Sequence, residues 1–123
     1  MNQIPDVLTL AMSAARHAAS RQQVIATNVA NADTPNYRAK DVLPFSPKDG
    51  TAPLRRTHAG HFAGARTGES TVVQMDGLAD PNGNTVSLEE QILRGIDAQR
   101  QHNRAVTIYK NALDIMRASL GRR

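Results

Sequence analysis

Along the first thirty positions of this 123-residue chain, apolar and small residues recur at alternating intervals of four and three. Positions 4, 8, 11, 15, 18, 22, 25 and 29 hold Ile, Leu, Ala, Ala, Ala, Gln, Ile and Val, the spacing of a helix that packs along one seam. Pro5 and Asp6 suit its start, because proline lacks only an N–H that the first turn leaves unpaired and a carboxylate there meets the positive end of the helix dipole. The middle of the seam is alanine-thin, and Ala14, Ala19, Ala26 and Ala30 put small residues off it. Such a helix accepts close neighbours on several sides. It must stop soon after residue 30: Pro35 cannot continue it and pushes Thr34 towards an extended backbone, while Asp33 and Asn36 favour turns.

A second, longer pattern fills the other end. Positions 92, 99, 106, 113 and 120 are Ile, Gln, Val, Leu and Leu, and positions 88, 95, 102, 109 and 116 are Leu, Gly, His, Tyr and Met. The predicted seam residues are Leu88, Ile92, Val106, Tyr109, Leu113, Met116 and Leu120, interrupted by the polar run QRQHN at 99 to 103, where Gln99 and His102 can fix register at some cost in stability. Ser87 and Glu90 have the spacing of a capping box, each side chain bonding the other's backbone N–H. At about 1.5 Å per residue these helices are nearly 40 and about 50 Å long.

Between them, residues 42 to 85 contain six of the eight glycines and four of the six prolines, and isolated apolar residues such as Phe45, Leu54 and Phe62. No helical period survives there. TVVQM at 71 to 75 is the one expected strand, and DPNGN at 80 to 84 is a turn. The expected fold is all-α: long N- and C-terminal helices packed as an antiparallel, coiled-coil-like hairpin, joined by an irregular Gly/Pro-rich segment with at most a short strand. The expected organisation is one structural unit with a core helix and its end at 1–34, an extended or partly disordered segment at 35–86, and a second core helix at 87–123.

Charge changes the picture little. The net charge of +4 divides as +1 over residues 1 to 41, zero over 42 to 85 and +3 over 86 to 123. Arg94, Arg100, Arg104, Lys110 and Arg117 alternate with Glu89, Glu90, Asp97 and Asp114, which describes a solvated helix face with Arg117, Arg122 and Arg123 at the favourable end of the dipole. Tyr109 is the sole aromatic of this helix, so the stacking groups of a nucleic-acid surface are missing and no nucleic-acid partner is expected. Cysteine is absent, excluding disulfides and thiolate chemistry. No apolar run is long enough to span a bilayer, and no Lys or Arg precedes Arg16, so a cleaved secretory leader is not expected.

Candidate chemistry dissolves on inspection. His58 and His61 are spaced as a ligand pair but have no acidic third ligand at motif spacing. Asp76, Asp80, Asn82, Gly83 and Asn84 only resemble a calcium loop: Pro81 intrudes, and Gln91 stands where the bidentate glutamate belongs. Gly60, Gly64 and Gly68 fall every fourth residue, but His61 and Arg66 lie among them, which no membrane helix pair allows. Glu89 and Glu90 are adjacent in a helix and point apart. His102 reads as a packed histidine. No phosphate loop, dinucleotide fingerprint or nucleophile–base pair appears, so neither enzyme activity, cofactor, metal nor small-molecule substrate is expected.

What remains is ATNVANADTPNYRAKD at 26 to 41, with Asn28, Asn31, Asp33, Thr34, Pro35 and Tyr37 as its distinctive residues. Local chemistry reads it as a helix end and turn. The same string resembles the N-terminal signature of bacterial flagellar axial proteins, in the form found in the FlgB family of proximal rod proteins, and GNTVSLEEQ at 83 to 91 resembles that family's entry into its C-terminal helix. The resemblance covers both ends and leaves out the middle; the break at 99 to 103 departs from it. It implies a structural subunit of the flagellar basal body, in which this segment ends the core helix and helps pack neighbouring subunits. It further implies export by the flagellar type III apparatus without a cleaved leader, self-association in a helical rod, and contacts with other rod proteins and the membrane-ring adaptor. Another short rod protein is the alternative within the class. Outside it stand a basic nucleic-acid-binding helical protein, which would bind generic duplex DNA in a steeply salt-dependent way, and a cytoplasmic helical adaptor or chaperone, which would form a soluble dimer confined to the cell.

Overall fold

A computed structural model describes residues 3–46, 57–60 and 70–121. The chain forms α1 (Gln3–Ala30), β1 (Lys40–Val42), β2 (Val72–Gln74) and α2 (Leu88–Ser119). The two helices run antiparallel along most of their length: Asn28 meets Gln91, Gln22 meets Gln99, and Ala11 lies with Ala105 and Tyr109. The expected helical hairpin is therefore the fold.

Its seam is built from very small side chains. On α1 the buried line is Ala11, Ala18, Ile25 and Asn28; on α2 it is Gln91, Ala98, Ala105 and Ala112. Alanine at these positions lets the backbones approach closely; at Gly95 the nearest atom, Ile25 Cγ2, lies 4.0 Å from where a Cβ would stand, so a methyl group would fit there too. On α1 the sequence pattern holds from Ile4 to Ile25, then moves one residue inward, so Val29 is exposed and Asn28 buried. On α2 the expected row at 88, 95, 102, 109 and 116 is half-buried from Gly95 through His102 and Tyr109 to Met116, while its first member, Leu88, is exposed. The other row runs one residue earlier. Leu88, Ile92 and Leu120 are exposed, Val106 and Leu113 only half-buried, and the alanines at 98, 105 and 112 occupy the contact. The physical reason is size, since at a close helix crossing a methyl group fits where isoleucine or leucine would hold the axes apart.

Two strands form where at most one was expected. β1 and β2 pair antiparallel, with Lys40 opposite Gln74, Asp41 opposite Val73 and Val42 opposite Val72. Bonds from Leu43 N to Thr71 O and from Met75 N to Ala39 O continue the ladder at both ends. β1 packs against α1, and the segment after it is held by His17, whose Nε2 lies 2.6 Å from Leu43 O while its ring tilts against Phe45. Ser87 caps α2 by accepting from Glu90 N. The reciprocal half of the capping box is replaced: the Glu90 carboxylate turns forward to Arg94, accepting from Nη2 at 2.6 Å and Nε at 3.1 Å. Leu54, His61, Phe62, Gly64, Arg66, Gly68, Arg122 and Arg123, which figured in the sequence reading, lie outside the described residues.

Candidate functional site: a buried polar clasp and the faces it leaves open

The end of α1 is tied to three other parts of the chain by polar side chains shut away from water. Asn28 is fully buried and uses both ends of its amide. Nδ2 donates to Lys40 O at 2.7 Å and to Gln91 Oε1 at 2.9 Å; Oδ1 accepts from Lys40 N at 3.0 Å and from the Tyr37 hydroxyl at 3.3 Å. Lys40 faces away from β2 in the ladder, so the asparagine takes the place of a further strand along that edge of β1. Four bonds satisfy every donor and acceptor an asparagine has.

Asn84 does the same for the turn. Its Nδ2 lies 2.8–2.9 Å from the carbonyls of Asn31, Ala32 and Thr34 in the turn that ends α1, and its Oδ1 accepts from Val86 N. Asn31 folds back onto Thr27 O and accepts from the Thr34 hydroxyl. Thr85 bridges onward, donating its N–H to Tyr37 O and accepting from Ala39 N through its hydroxyl. The turn needs left-handed backbone at two contacting residues, Asn36 at φ 59° and Gly83 at φ 82°; a Cβ on Gly83 would strike the Asn36 side-chain oxygen. Asparagine and glycine are the residues that adopt this conformation at least cost. The stretch examined as a calcium loop is thus a turn that closes on Asn84, with Asp80 N bonded to Asn84 O and Gly83 N to Asp80 O.

A charged node lies beside this network. Asp41 is buried in β1 and accepts from Arg21 Nε and Nη2 at 3.1 and 3.2 Å, from Arg94 Nη1, and from Val42 N at 2.7 Å. One carboxylate therefore joins α1, β1 and α2. Burial pushes its pKa up, but the Arg21 hydrogen bond, the Val42 amide and the two guanidinium charges outweigh burial and hold it below its ordinary value. Burial alone would lower the Arg94 pKa, whereas Glu90 and Asp41 raise it on balance.

Of the residues singled out from sequence, Asn28, Asn31, Thr34 and Tyr37 lie in this network. Asp33 and Pro35 are exposed on the outside of the turn, and Ser87 and Glu90 start α2. Sequence reasoning missed the node of Asp41 and Arg21, placed Arg94 on a solvated helix face, and weighed Asn84 and Gln91 only as positions of a failed calcium loop. Asn84 and Gln91 stand in the very string that resembles a helix entry, which is the one signal that could have found them.

The arrangement holds a shape, its polar side chains being committed to one another and to backbone groups. Among the described residues no three His, Cys, Asp or Glu side chains gather as metal ligands, and no helix is long and apolar enough to cross a membrane. Many large apolar side chains are nevertheless left to solvent. Leu88, Ile92 and Ile96, four apart on α2, form a strip beside Leu93 near the closed end, and Ile108 and Ile115 lie on the opposite flank farther along; all are exposed, as are Val7, Met12 and Val29 of α1. A further apolar notch of about 160 Å³ opens between Ala11, Met12, Ala15, Ala105, Val106 and Tyr109. Rows of this extent on both flanks of one helix are the mark of a chain that packs among others.

Comparison with known proteins agrees with that inference. A family model described as flagella basal body rod protein matches residues 8–38, a stretch that includes Asn28, Asn31, Thr34 and Tyr37 of the clasp. The flagellar basal body rod protein FlgB of Agrobacterium fabrum is 30% identical over 100 residues, covering 74% of this chain and 75% of its own length. Its counterpart in Aquifex aeolicus is 40% identical over 73 residues, 58% of each chain.

Proposed function

The chain belongs to the FlgB family of flagellar basal body rod proteins and is a structural subunit of that rod, and from this premise we propose that it builds the proximal rod by packing its hairpin among those of its neighbours. Its work is mechanical: it transmits torque from the membrane ring towards the hook and forms part of the wall around the export channel. Its partners are other copies of itself, other rod proteins and the adaptor at the membrane ring. It reaches the periplasm through the flagellar type III export apparatus. The unit divides into a core helix and its end within 1–34, a bridging segment within 35–86 and a second core helix within 87–123.

The observation that carries the reading is the pairing of an internally satisfied clasp with unpartnered apolar rows on both flanks of α2. The motif residues Asn28, Asn31, Asp33, Thr34, Pro35 and Tyr37 set the geometry of the closed end that neighbours meet. Leu88, Ile92 and Leu120 lie in subunit contacts, while Val106, Tyr109, Leu113 and Met116, half-buried within the chain, border them. The experiment is to tag the chain in its host, purify hook–basal-body particles, wash them at high salt and blot them beside cytosol. Retention with the rod, and loss of motility on deletion, is the expected result; recovery only from the cytosol of motile cells would refute the proposal.

A further inference from the structure

The hairpin has two unlike flanks, and the helical repeat of about 100° per residue sorts its exposed side chains between them. Around α2 from Ala105, which is buried in the seam, Tyr109 and Val106 turn about 40° and about 100° to one side, and Ile108 about 60° to the other. On α1, Met12 and Ala15 turn from Ala11 towards Tyr109, with which they share the notch, and Val29 turns from Ile25 in the same sense. Arg94 and Arg21 turn from Ala98 and Ala18 in the opposite sense, and both hold Asp41 of β1. One flank therefore carries the two-stranded sheet and Ile108. The other is bare among the described residues.

Both flanks are apolar, and at matching heights. The bare flank exposes Val29, Leu88 and Ile92 at the closed end and, farther along, opens the wholly apolar notch of about 160 Å³ beside Met12, Ala15, Val106 and Tyr109. The sheet flank exposes Leu43 and Val72 at the closed end. Farther along it exposes Ile108, 44% accessible and in the same helical turn as Val106 and Tyr109. The notch has room for one branched aliphatic side chain, since an apolar cavity of about 150 Å³ takes a molecule of benzene. One molecule thus displays a hole on one side and a knob of fitting size, at the same height, on the other.

Resting on the rod reading, we propose that adjacent copies of this chain stand side by side and point the same way, the sheet flank of each against the bare flank of the next, with Ile108 seated in the neighbour's notch. Two such copies bring Leu43 and Val72 to Val29, Leu88 and Ile92 at the closed end in the same movement. Because the joined surfaces differ, the contact is heterologous: it repeats around an axis, closing as a ring or advancing as a helix, and does not stop at a dimer. The 32 residues of α2 give a contact strip about 48 Å long and about 10 Å wide. That is on the order of 500 Å² per partner and about 1,000 Å² in all, what a specific interface needs. Another rod protein could replace the copy only by presenting a branched apolar side chain and an apolar surface at these same two heights, both of which the chain itself supplies.

The chain has no cysteine, so a double variant carrying Met12→Cys and Ile108→Cys gives a direct probe in the native host. Basal-body particles containing it are oxidised and run on a non-reducing gel. The expected product is a ladder of covalent multimers of this chain, absent from either single-cysteine variant, because knob and hole lie on different flanks. No multimers from particles that contain the double variant overturns the proposal, as does a dimer formed by one cysteine variant alone, which would mean a two-fold contact. A size swap gives an independent reading. Ile108→Ala empties the notch and Ala15→Leu fills it, and each should lower incorporation into particles about tenfold or more, as losing a buried branched side chain does. Combining them removes the clash and should recover most of what Ala15→Leu loses; a combined variant no better than Ala15→Leu overturns the seat. Absence of the wild-type chain from the particles would instead overturn the rod reading beneath it.

Discussion

Asn28 makes four hydrogen bonds inside a region closed to water, and each ties a different piece of backbone or side chain to the end of α1. Removing its amide leaves Lys40 N, Lys40 O and Gln91 Oε1 buried and without that partner, and an unmade buried bond costs about 1–3 kcal/mol. Asn28→Ala should therefore lower the stability of the hairpin by about 3 kcal/mol, read as an earlier thermal loss of helical circular dichroism; a melting curve matching wild type would mean the clasp is ornamental. Asp41 makes the node pH-dependent. Because its folded pKa lies below its ordinary value, the charge contributes stability that is fully present above the unfolded value of about 3.9, and that is lost as pH falls through the folded pKa. Acid titration of helical signal should show this loss, and Asp41→Asn should flatten it while weakening the hairpin at neutral pH. An unchanged acid profile in that variant would assign the effect to other carboxylates.

At the scale of elements, the seam depends on how small its residues are. Ala98 is fully buried, and Ala98→Leu should force the helices apart at a cost of about 1–3 kcal/mol. Gly95 is the opposite case, a glycine inside a helix with room for a methyl group beside Ile25, so Gly95→Ala should raise stability by about 0.5–1 kcal/mol; both are checked by denaturant titration of the purified chain. The same contrast explains how much of the fold could be read from sequence. The α1 seam from Ile4 to Ile25 was legible because its heptad spacing is local, and the ends of both helices because proline and the serine cap act locally. On α2, hydrophobicity drew attention to Ile92, Val106 and Leu113, whereas the close crossing selects Ala98, Ala105 and Ala112. β1 was illegible: Lys-Asp-Val has no strand signal, and its order comes from Asn28, Arg21 and Arg94, which are 12 to 53 residues away. Half of the clasp could be found through the Asn-Thr-Pro-Tyr string. The other half, Asn84 and Gln91, acquires meaning only once the hairpin has closed.

For the whole molecule, two long helices sharing a thin seam leave Ile92, Ile96, Ile108 and Ile115 to solvent, and helices of this kind draw most of their stability from packing. The isolated chain should be less helical than the chain in the rod and gain helix when its rod partners are added; a helical signal that partners leave unchanged would count against this. Ile92→Ser and Ile115→Ser should alter monomer stability by no more than about 0.5 kcal/mol, as exposed substitutions do, yet impair incorporation into the rod. The central claim is that the clasp fixes a hairpin whose outer rows are the contacts between subunits. An electron cryomicroscopy map of the intact basal-body rod, resolved to side chains, tests it most directly. The account predicts Asn28 bonded to Gln91 within each subunit and Ile92, Ile108 and Ile115 buried against neighbours. A subunit whose helices have separated, or whose isoleucine rows face solvent in the assembled rod, would contradict it.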